Sequence, residues 1–88
     1  MSNFEARLAE LGVTLPDAPA PAANYVPWAV VGDLVYVSGQ ISMADGAFIT
    51  GKLGDDMSVD DGAAAARTCA IGLLAQVKAA CGGNLDRL

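Results

Sequence analysis

The sequence contains no histidine and only two cysteines among its 88 residues. Histidine and cysteine supply most protein ligands for zinc and iron–sulfur clusters, so we expect no such metal site and no cofactor. Cys69 and Cys81 are twelve positions apart in one predicted helix, which separates them by about 18 Å. A disulfide requires Cα atoms within about 7 Å, so we interpret both residues as buried thiols.

Basic residues are also scarce, because five Lys and Arg face ten Asp and Glu and give a net charge of −5. This balance disfavours binding to phosphate backbones, and we expect no nucleic-acid partner. No apolar run approaches the roughly 18–20 residues needed to cross a bilayer, so no membrane partner is expected. The first five residues lack the basic and apolar regions of a secretory signal. We therefore predict a cytoplasmic protein.

Aromatic residues make up 6% of the chain, whereas hydrophobic residues together make up 53%. The core must therefore be built mainly from Ala, Val, Leu and Ile. A chain of this length forms one small domain and buries only about 60–65% of the surface that its unfolded form exposes. The composition excludes a disordered chain but predicts a narrow margin of stability.

The N-terminal region predicts a short helix and an extended connector. Apolar residues recur at helical spacing within residues 3–11, and Gly12 follows as a stop. The next stretch contains Pro16, Pro19 and Pro21. Prolines at these intervals allow neither a helix nor a central strand. Residues 1–24 are thus predicted to be an N-terminal helix followed by a proline-rich connector.

A β-hairpin is predicted next, with strands at residues 25–31 and 34–41 and a Gly-Asp turn between them. The twofold period of the second strand places Val35, Val37 and Ile41 on one face and Leu34, Tyr36, Ser38 and Gln40 on the other. Neither face is cleanly polar, so we expect both to be covered. Asp45 and Gly46 form a turn signal before a third predicted strand at residues 47–50.

A long helix is predicted from Ser58, which has an acidic residue three positions later as in a capping box, to a Gly-Gly stop at residues 82–83. The stripe expected to pack on the sheet consists of Val59, Ala63, Ala66, Ala70, Leu73, Leu74, Val77 and Cys81. A second apolar flank predicts contact with another helix or a neighbouring subunit. Gly72 inside the helix indicates close packing rather than a function.

Three segments together resemble the RidA (YjgF-like) family. These are residues 22–27, the strand of residues 32–41 that ends in Ser-Gly-Gln, and the alanine-rich residues 63–67. The middle segment is the most specific, because its apolar strand ends in Ser-Gly-Gln and is preceded by a turn and by a tyrosine, Tyr25, thirteen residues before Ser38. The additional N-terminal helix and proline connector resemble a longer-chain branch of that superfamily.

The resemblance implies an α+β, chorismate-mutase-like fold. Residues 25–88 then correspond to the first half of the domain, in the order β-β-β-α after the N-terminal helix, and the C-terminal half is absent. The family assembles as a homotrimer with pockets between subunits, so the resemblance also implies self-association.

The same resemblance implies hydrolysis of reactive enamines and imines, of the 2-iminobutanoate or 2-iminopropanoate kind, to 2-oxo acids and ammonia. Tyr25, Ser38 and Gly39 match the family's substrate-binding positions. The arginine that anchors the substrate carboxylate is expected beyond Leu88, so no catalytic residue is assigned and residues 1–88 alone are expected to be inactive.

Two alternatives stay open. The protein could be a non-catalytic module with the same trimeric fold that binds small carboxylates or has a regulatory role. Ser38, Gly39 and Gln40 could also simply end a strand. A ribonuclease function, often attributed to such families, is disfavoured by the acidic charge and the lack of histidine.

Overall fold

The computed structural model describes residues 3–21 and 23–88. The residues outside this description are Met1, Ser2 and Ala22. The first two begin the predicted N-terminal segment, and Ala22 begins the motif of residues 22–27. The elements in chain order are α1 (Asn3–Glu10), β1 (Trp28–Val31), β2 (Leu34–Val37), β3 (Met43–Ala44), β4 (Ala47–Phe48), α2 (Val59–Ala80) and a 3₁₀ turn (Leu85–Arg87). This order confirms the predicted α+β class. No helix within the described residues is long and apolar enough to span a membrane.

β1 and β2 form the predicted antiparallel hairpin, but both strands are shorter than predicted. Trp28 pairs with Val37, and Val31 pairs with Leu34. Pro27 has no amide hydrogen to donate, and its carbonyl instead accepts the Ser38 amide at 2.9 Å. The ladder therefore ends where the proline and the Ser-Gly-Gln segment begin.

Within the described residues, one face of this hairpin is more covered than the other. Directly paired residues share a face, so Trp28, Val30, Val35 and Val37 lie on one side and Ala29, Val31, Leu34 and Tyr36 on the other. The first side holds the half-buried Trp28, Val35 and Val37, although its Val30 is 51% exposed. Helix α2 contacts both strands, and we infer from the lower exposure that it packs on this side. On the second side, Val31, Leu34 and Tyr36 are 63%, 58% and 58% exposed. We expected both faces to be covered, but within the described residues only the face toward α2 is. Helix α2 is the helix that contacts β1 and β2, and it can cover only one side.

The predicted third strand is present as β4, and it is preceded by a short strand, β3, that the sequence did not reveal. Met43 pairs with Phe48, and Ala44 with Ala47. The two residues between them, Asp45 and Gly46, both have positive φ angles of 53° and 79°. Such a two-residue turn joins antiparallel strands. The order is therefore β-β-β-β-α rather than β-β-β-α.

Helix α2 begins as predicted, since the Ser58 side chain accepts the Asp61 amide at 3.1 Å. The predicted sheet-facing stripe is correct only at its C-terminal end, where Cys81 is buried and Leu74 and Val77 are half-buried; its other members, Val59, Ala63, Ala66, Ala70 and Leu73, are exposed. The buried residues of α2 are Gly72, Ala75 and Gln76, whereas Val59 is 83% exposed and Leu73 is 39% exposed.

Small and polar residues of α2 meet the strands instead. Thr68, Gly72 and Gln76 follow one another at four-residue spacing and so lie on one face of the helix. The Thr68 hydroxyl accepts the Met43 amide at 3.2 Å. The Gly72 backbone lies against the side chain of Gln40. The helix lies too close to Gln40 at this point for a bulky side chain, and the large apolar residues lie on its flanks.

The two ends of the described chain are joined by hydrogen bonds. The Asp86 carboxylate accepts the backbone amides of Asn3 at 2.8 Å and Phe4 at 3.1 Å. Lys78 Nζ also lies 3.4 Å from a Glu5 carboxylate oxygen. A carboxylate at the start of a helix satisfies free N–H groups and complements the helix dipole. Helix α1 is thereby docked on the C-terminal end of α2.

Replacing Asp86 with alanine is expected to reduce the free energy of unfolding by about 1–2 kcal/mol, the usual effect of losing a helix cap. Amide exchange at Asn3 and Phe4 should accelerate as well. Chemical denaturation and hydrogen exchange of the full-length protein measure the two effects. Asp55→Ala, in an exposed loop, is the control and should change stability by less than about 0.5 kcal/mol. Equal effects of the two substitutions would show that the cap is not stabilising.

Candidate functional site

A cavity of about 440 Å³ lies between α2 and the segments that cross it. The proline segment forms one side through Pro16, Asp17, Pro19, Ala20 and Pro21. The strand extension and the β3–β4 hairpin contribute Gly39, Gln40, Ile41, Met43, Asp45, Gly46 and Phe48. Helix α2 supplies Thr68, Ile71, Gly72 and Gln76, and Tyr25 and Pro27 complete the lining.

The structure brings two of the three predicted substrate-binding residues to this cavity. Tyr25 and Gly39 line it, whereas Ser38 does not. The Ser38 hydroxyl donates a hydrogen bond to the Val26 carbonyl at 2.6 Å. Its proton is therefore engaged with the backbone, and its oxygen retains only the ability to accept. Ser38 fixes the chain behind Tyr25 and is not arranged as a nucleophile.

Gln40 has a structural role that fits the simpler interpretation of the Ser-Gly-Gln segment. Its side-chain amide donates to the carbonyls of Ser38 at 3.1 Å and Gly39 at 3.3 Å. These bonds hold the bend after β2. The same side chain packs against Gly72 of α2, so the bend and the helix are fixed relative to each other.

Gln76 is the site residue that the sequence analysis missed. It is only 1% exposed, and its Nε2 donates to the Pro19 carbonyl at 2.8 Å and lies 3.5 Å from Gln40 Oε1. Gln76 thus connects the proline segment to α2 and to the Gln40 bend. The available signal was a lone amide in an otherwise apolar part of the helix.

The cavity carries negative charge. Asp17 and Asp45 are the charged residues among those that line it, and neither Lys nor Arg is among the described lining residues. A substrate carboxylate would therefore find no cationic partner on these walls.

Metal binding finds no support in the described part of the chain, where no group of three His, Cys, Asp or Glu side chains could hold an ion. Cys69 is half-buried and Cys81 is buried, and both are free thiols. The acidic loop before α2 uses its carboxylates locally, since Asp56 Oδ1 accepts the Lys52 amide at 2.6 Å.

The chain is similar to a described protein family and to a named protein. The profile of a family described as "YjgF/chorismate_mutase-like, putative endoribonuclease" matches residues 5–88. The chain is 46% identical over 84 residues to Protein TCP17 of Trypanosoma cruzi, covering 94% of this chain and 52% of that protein.

Two crystal structures are similar as well. The protein Atu1372 of Agrobacterium tumefaciens, described as having unknown function, superposes with a TM-score of 0.78 at 49% identity, over 93% of this chain and 50% of that one. A Shewanella oneidensis protein described as a "putative endoribonuclease" gives a TM-score of 0.81 at 39% identity, over 89% of this chain and 52% of that one. The chain thus spans about half the length of the proteins it matches.

Proposed function

The chain belongs to the YjgF/chorismate mutase-like family, and from that membership we propose that the protein hydrolyses reactive enamines and imines to 2-oxo acids and ammonia. The observation that supports this proposal is that Tyr25 and Gly39 both line the cavity, while the Ser38 hydroxyl is hydrogen-bonded to the carbonyl of Val26, the residue after Tyr25. These are the three positions that match the family's substrate-binding motif.

In this reaction the side chains named above need only position the substrate. An enamine first tautomerises to the imine. Water then adds to the imine carbon, and the resulting carbinolamine expels ammonia as its hydroxyl becomes the carbonyl of the 2-oxo acid. Gly39 allows a substrate to approach the backbone, and Tyr25 offers an aromatic wall with a polar tip. The carboxylate would be anchored by an arginine from the family's second half.

The proposed assembly is the family's homotrimer, with pockets between subunits. Its support within this chain is the exposed outer face of the β1–β2 hairpin, where Val31, Leu34 and Tyr36 are all more than half exposed. Contiguous apolar surface of this kind is typical of an interface. We further propose that the protein acts in the cytoplasm, where pyridoxal-phosphate enzymes release such intermediates.

The direct experiment supplies the full-length protein with freshly generated 2-aminoacrylate and follows pyruvate formation. We expect a rate clearly above that of spontaneous hydrolysis. A rate equal to the enzyme-free control, with a protein shown to be folded, would refute the proposal.

Single substitutions distinguish the role of Tyr25 from that of Ser38. Tyr25→Leu should lower kcat/KM about tenfold, because a wall that positions substrate is lost, and Ser38→Ala should lower it by less than about tenfold. Phe4→Leu, an exposed aromatic on α1, is the control and should leave kcat/KM unchanged. A thousandfold loss in Ser38→Ala would contradict the backbone-holding role assigned to this serine.

A second candidate is a non-catalytic module that binds small carboxylates. It is favoured by the absence of a general acid, a general base or a cation among Tyr25, Ser38 and Gly39. Calorimetry with 2-oxobutanoate, combined with the hydrolysis assay, distinguishes this module from the enzyme. The module would bind this product-like acid tightly and would not accelerate imine hydrolysis.

The descriptions of the family and of the Shewanella protein favour a third candidate, an endoribonuclease. The chain offers little for that chemistry, because it has no histidine and a net charge of −5. Cleavage of a defined RNA by a metal-free preparation, abolished by Tyr25→Leu, would support it over the deaminase.

A further inference from the structure

The cavity between α2 and the proline segment has a largely apolar lining. Its two charged residues, Asp17 and Asp45, are exposed to solvent. The apolar lining residues are Pro16, Pro19, Ala20, Pro21, Pro27, Ile41, Met43, Phe48 and Ile71. Several of them stay exposed although they border a concave site, and such a surface is typical of one that an apolar ligand covers. The part of a ligand that contacts these walls is therefore expected to be apolar.

The volume of the cavity exceeds what the smallest substrate of the proposed reaction requires. About 440 Å³ is available, which falls within the roughly 300–1,000 Å³ typical of sites for drug-sized ligands. 2-Aminoacrylate has a three-carbon skeleton and fills a small part of that space. It would leave the prolines, Ile71 and Phe48 in contact with water.

The charge distribution indicates which end of a substrate faces these walls. Neither Lys nor Arg is among the described lining residues, so a carboxylate gains no ion pair here. In the proposed reaction the carboxylate is anchored by an arginine from the family's second half. Asp17 and Asp45 are exposed, so water and salt screen their effect on that carboxylate. The substrate would then direct its carboxylate away from these walls and its side chain toward them.

The proline segment forms a wall that is ordered before a ligand binds. Proline rings fix the backbone φ angle, and the Pro19 carbonyl accepts a hydrogen bond from Gln76 Nε2 at 2.8 Å. Gln76 is buried, so water does not compete for this bond. A preordered wall loses little conformational entropy when an apolar group packs on it. Such a wall can discriminate between side chains by their size.

We propose that these apolar residues form a subsite for the side chain of the substrate, and that the preferred substrates are imines with a large apolar side chain, branched or aromatic. This inference rests on the proposed imine hydrolysis and names its substrate class. Phe48 and Ala20 are the specificity-determining residues. The Phe48 ring packs on the substrate side chain, and the small Ala20 leaves room for it. The imine of phenylalanine takes up one water and gives phenylpyruvate and ammonia.

The test compares two imines that differ only in their side chain. D-amino acid oxidase, with catalase present, generates them in place from D-alanine and D-phenylalanine. Formation of the 2-oxo acid by the full-length protein is followed above the enzyme-free rate. The value of kcat/KM for the phenylalanine imine should exceed that for the alanine imine about tenfold or more, since apolar pockets discriminate to this extent between side chains of different size.

Matched variants test the two specificity-determining residues. Phe48→Ala should lower the ratio of the two kcat/KM values, phenylalanine imine over alanine imine, about fivefold, because a ring contact is lost. Phe4→Ala is its control, since Phe48 and Phe4 are 58% and 53% exposed. Ala20→Phe should lower the same ratio about tenfold by filling the subsite. Ala18→Phe, in the same segment but outside the described cavity lining, is its control. Both controls should leave the ratio within about twofold.

Two results would overturn the proposed substrate class. One is a wild-type protein that hydrolyses the alanine imine as efficiently as the phenylalanine imine. The other is an equal loss for both imines in Phe48→Ala, which would show that protein rather than substrate covers the ring.

A rate equal to the enzyme-free control with both imines would refute the proposed hydrolysis and this substrate class together. Calorimetry with phenylpyruvate and pyruvate then decides whether the subsite exists. Tighter binding of phenylpyruvate, weakened in Phe48→Ala, would retain the subsite as part of a non-catalytic module. Equal binding of the two acids would remove it.

Discussion

Replacing Leu85 with alanine is expected to lower the free energy of unfolding by about 3 kcal/mol, within the range for buried leucine truncations. Leu85 is 2% exposed and belongs to a small set of buried hydrophobic residues in the described chain, together with Ala75 and Cys81. It lies on the 3₁₀ turn that packs against α1. A core with so few large side chains has little capacity to close over the vacated volume.

Urea denaturation of the full-length protein measures this loss, with Leu11→Ala as the matched control. Leu11 is 58% exposed, and its truncation should change stability by no more than about 0.5 kcal/mol. Leu85→Ala should also accelerate amide exchange in α1, because the turn holds that helix. A Leu85→Ala protein as stable as the Leu11→Ala protein would show that the 3₁₀ turn is not part of the core.

The local signals of the sequence predicted the helix boundaries well. Ser58 caps α2 as its spacing indicated. Gly12 follows α1 with a φ of 74°, and Gly82 follows α2 with a φ of 68°. Side-chain capping and left-handed glycines act within a few residues of chain, so their effects can be predicted without knowledge of the fold.

The face of α2 that meets the sheet could not be predicted in the same way. Hydrophobic periodicity favoured the side with Val59, Leu73 and Val77, because large apolar residues usually face the core. The contact is instead set by Gln40, which is distant in sequence and whose side chain packs against the small residue Gly72. A partner that is polar and non-local leaves no periodic signal in the helix.

In the candidate site, too, local sequence signals were informative and non-local contacts could not be predicted. Tyr25 and Gly39, two of the three residues singled out by motif spacing, both line the cavity, whereas Ser38 does not; their role in substrate binding stays a prediction. The proline segment was predicted only as a surface connector, and its role as a cavity wall depends on the bond from Gln76 to the Pro19 carbonyl. That bond joins residues 57 positions apart, so neither local propensity nor motif spacing predicts it.

The Gly72–Gln40 contact predicts that the stability of the protein depends on the size of the side chain at position 72. A Cβ at Gly72 would lie 3.2 Å from Gln40 Oε1 and 3.4 Å from Gln40 Cβ and Cγ. Gly72→Ala should be nearly neutral, because a gain of about 1 kcal/mol in helix propensity offsets this mild crowding. Gly72→Leu should destabilise the protein by about 2–3 kcal/mol, because the helix must separate from the bend.

Two further variants isolate the contact. Ala70→Leu adds the same kind of side chain to an exposed position of α2 and should change stability by less than about 0.5 kcal/mol. Gln40→Ala introduced into Gly72→Leu should restore about 1 kcal/mol or more, since neighbouring residues are energetically coupled. Denaturation of the wild-type protein, Gly72→Leu, Gln40→Ala and the double variant completes the cycle, because Gln40→Ala alone measures the loss of the bonds that hold the bend. If Gly72→Leu were tolerated as well as Ala70→Leu, the helix and the Ser-Gly-Gln bend would not be in close contact, and the cavity walls described above would be misplaced.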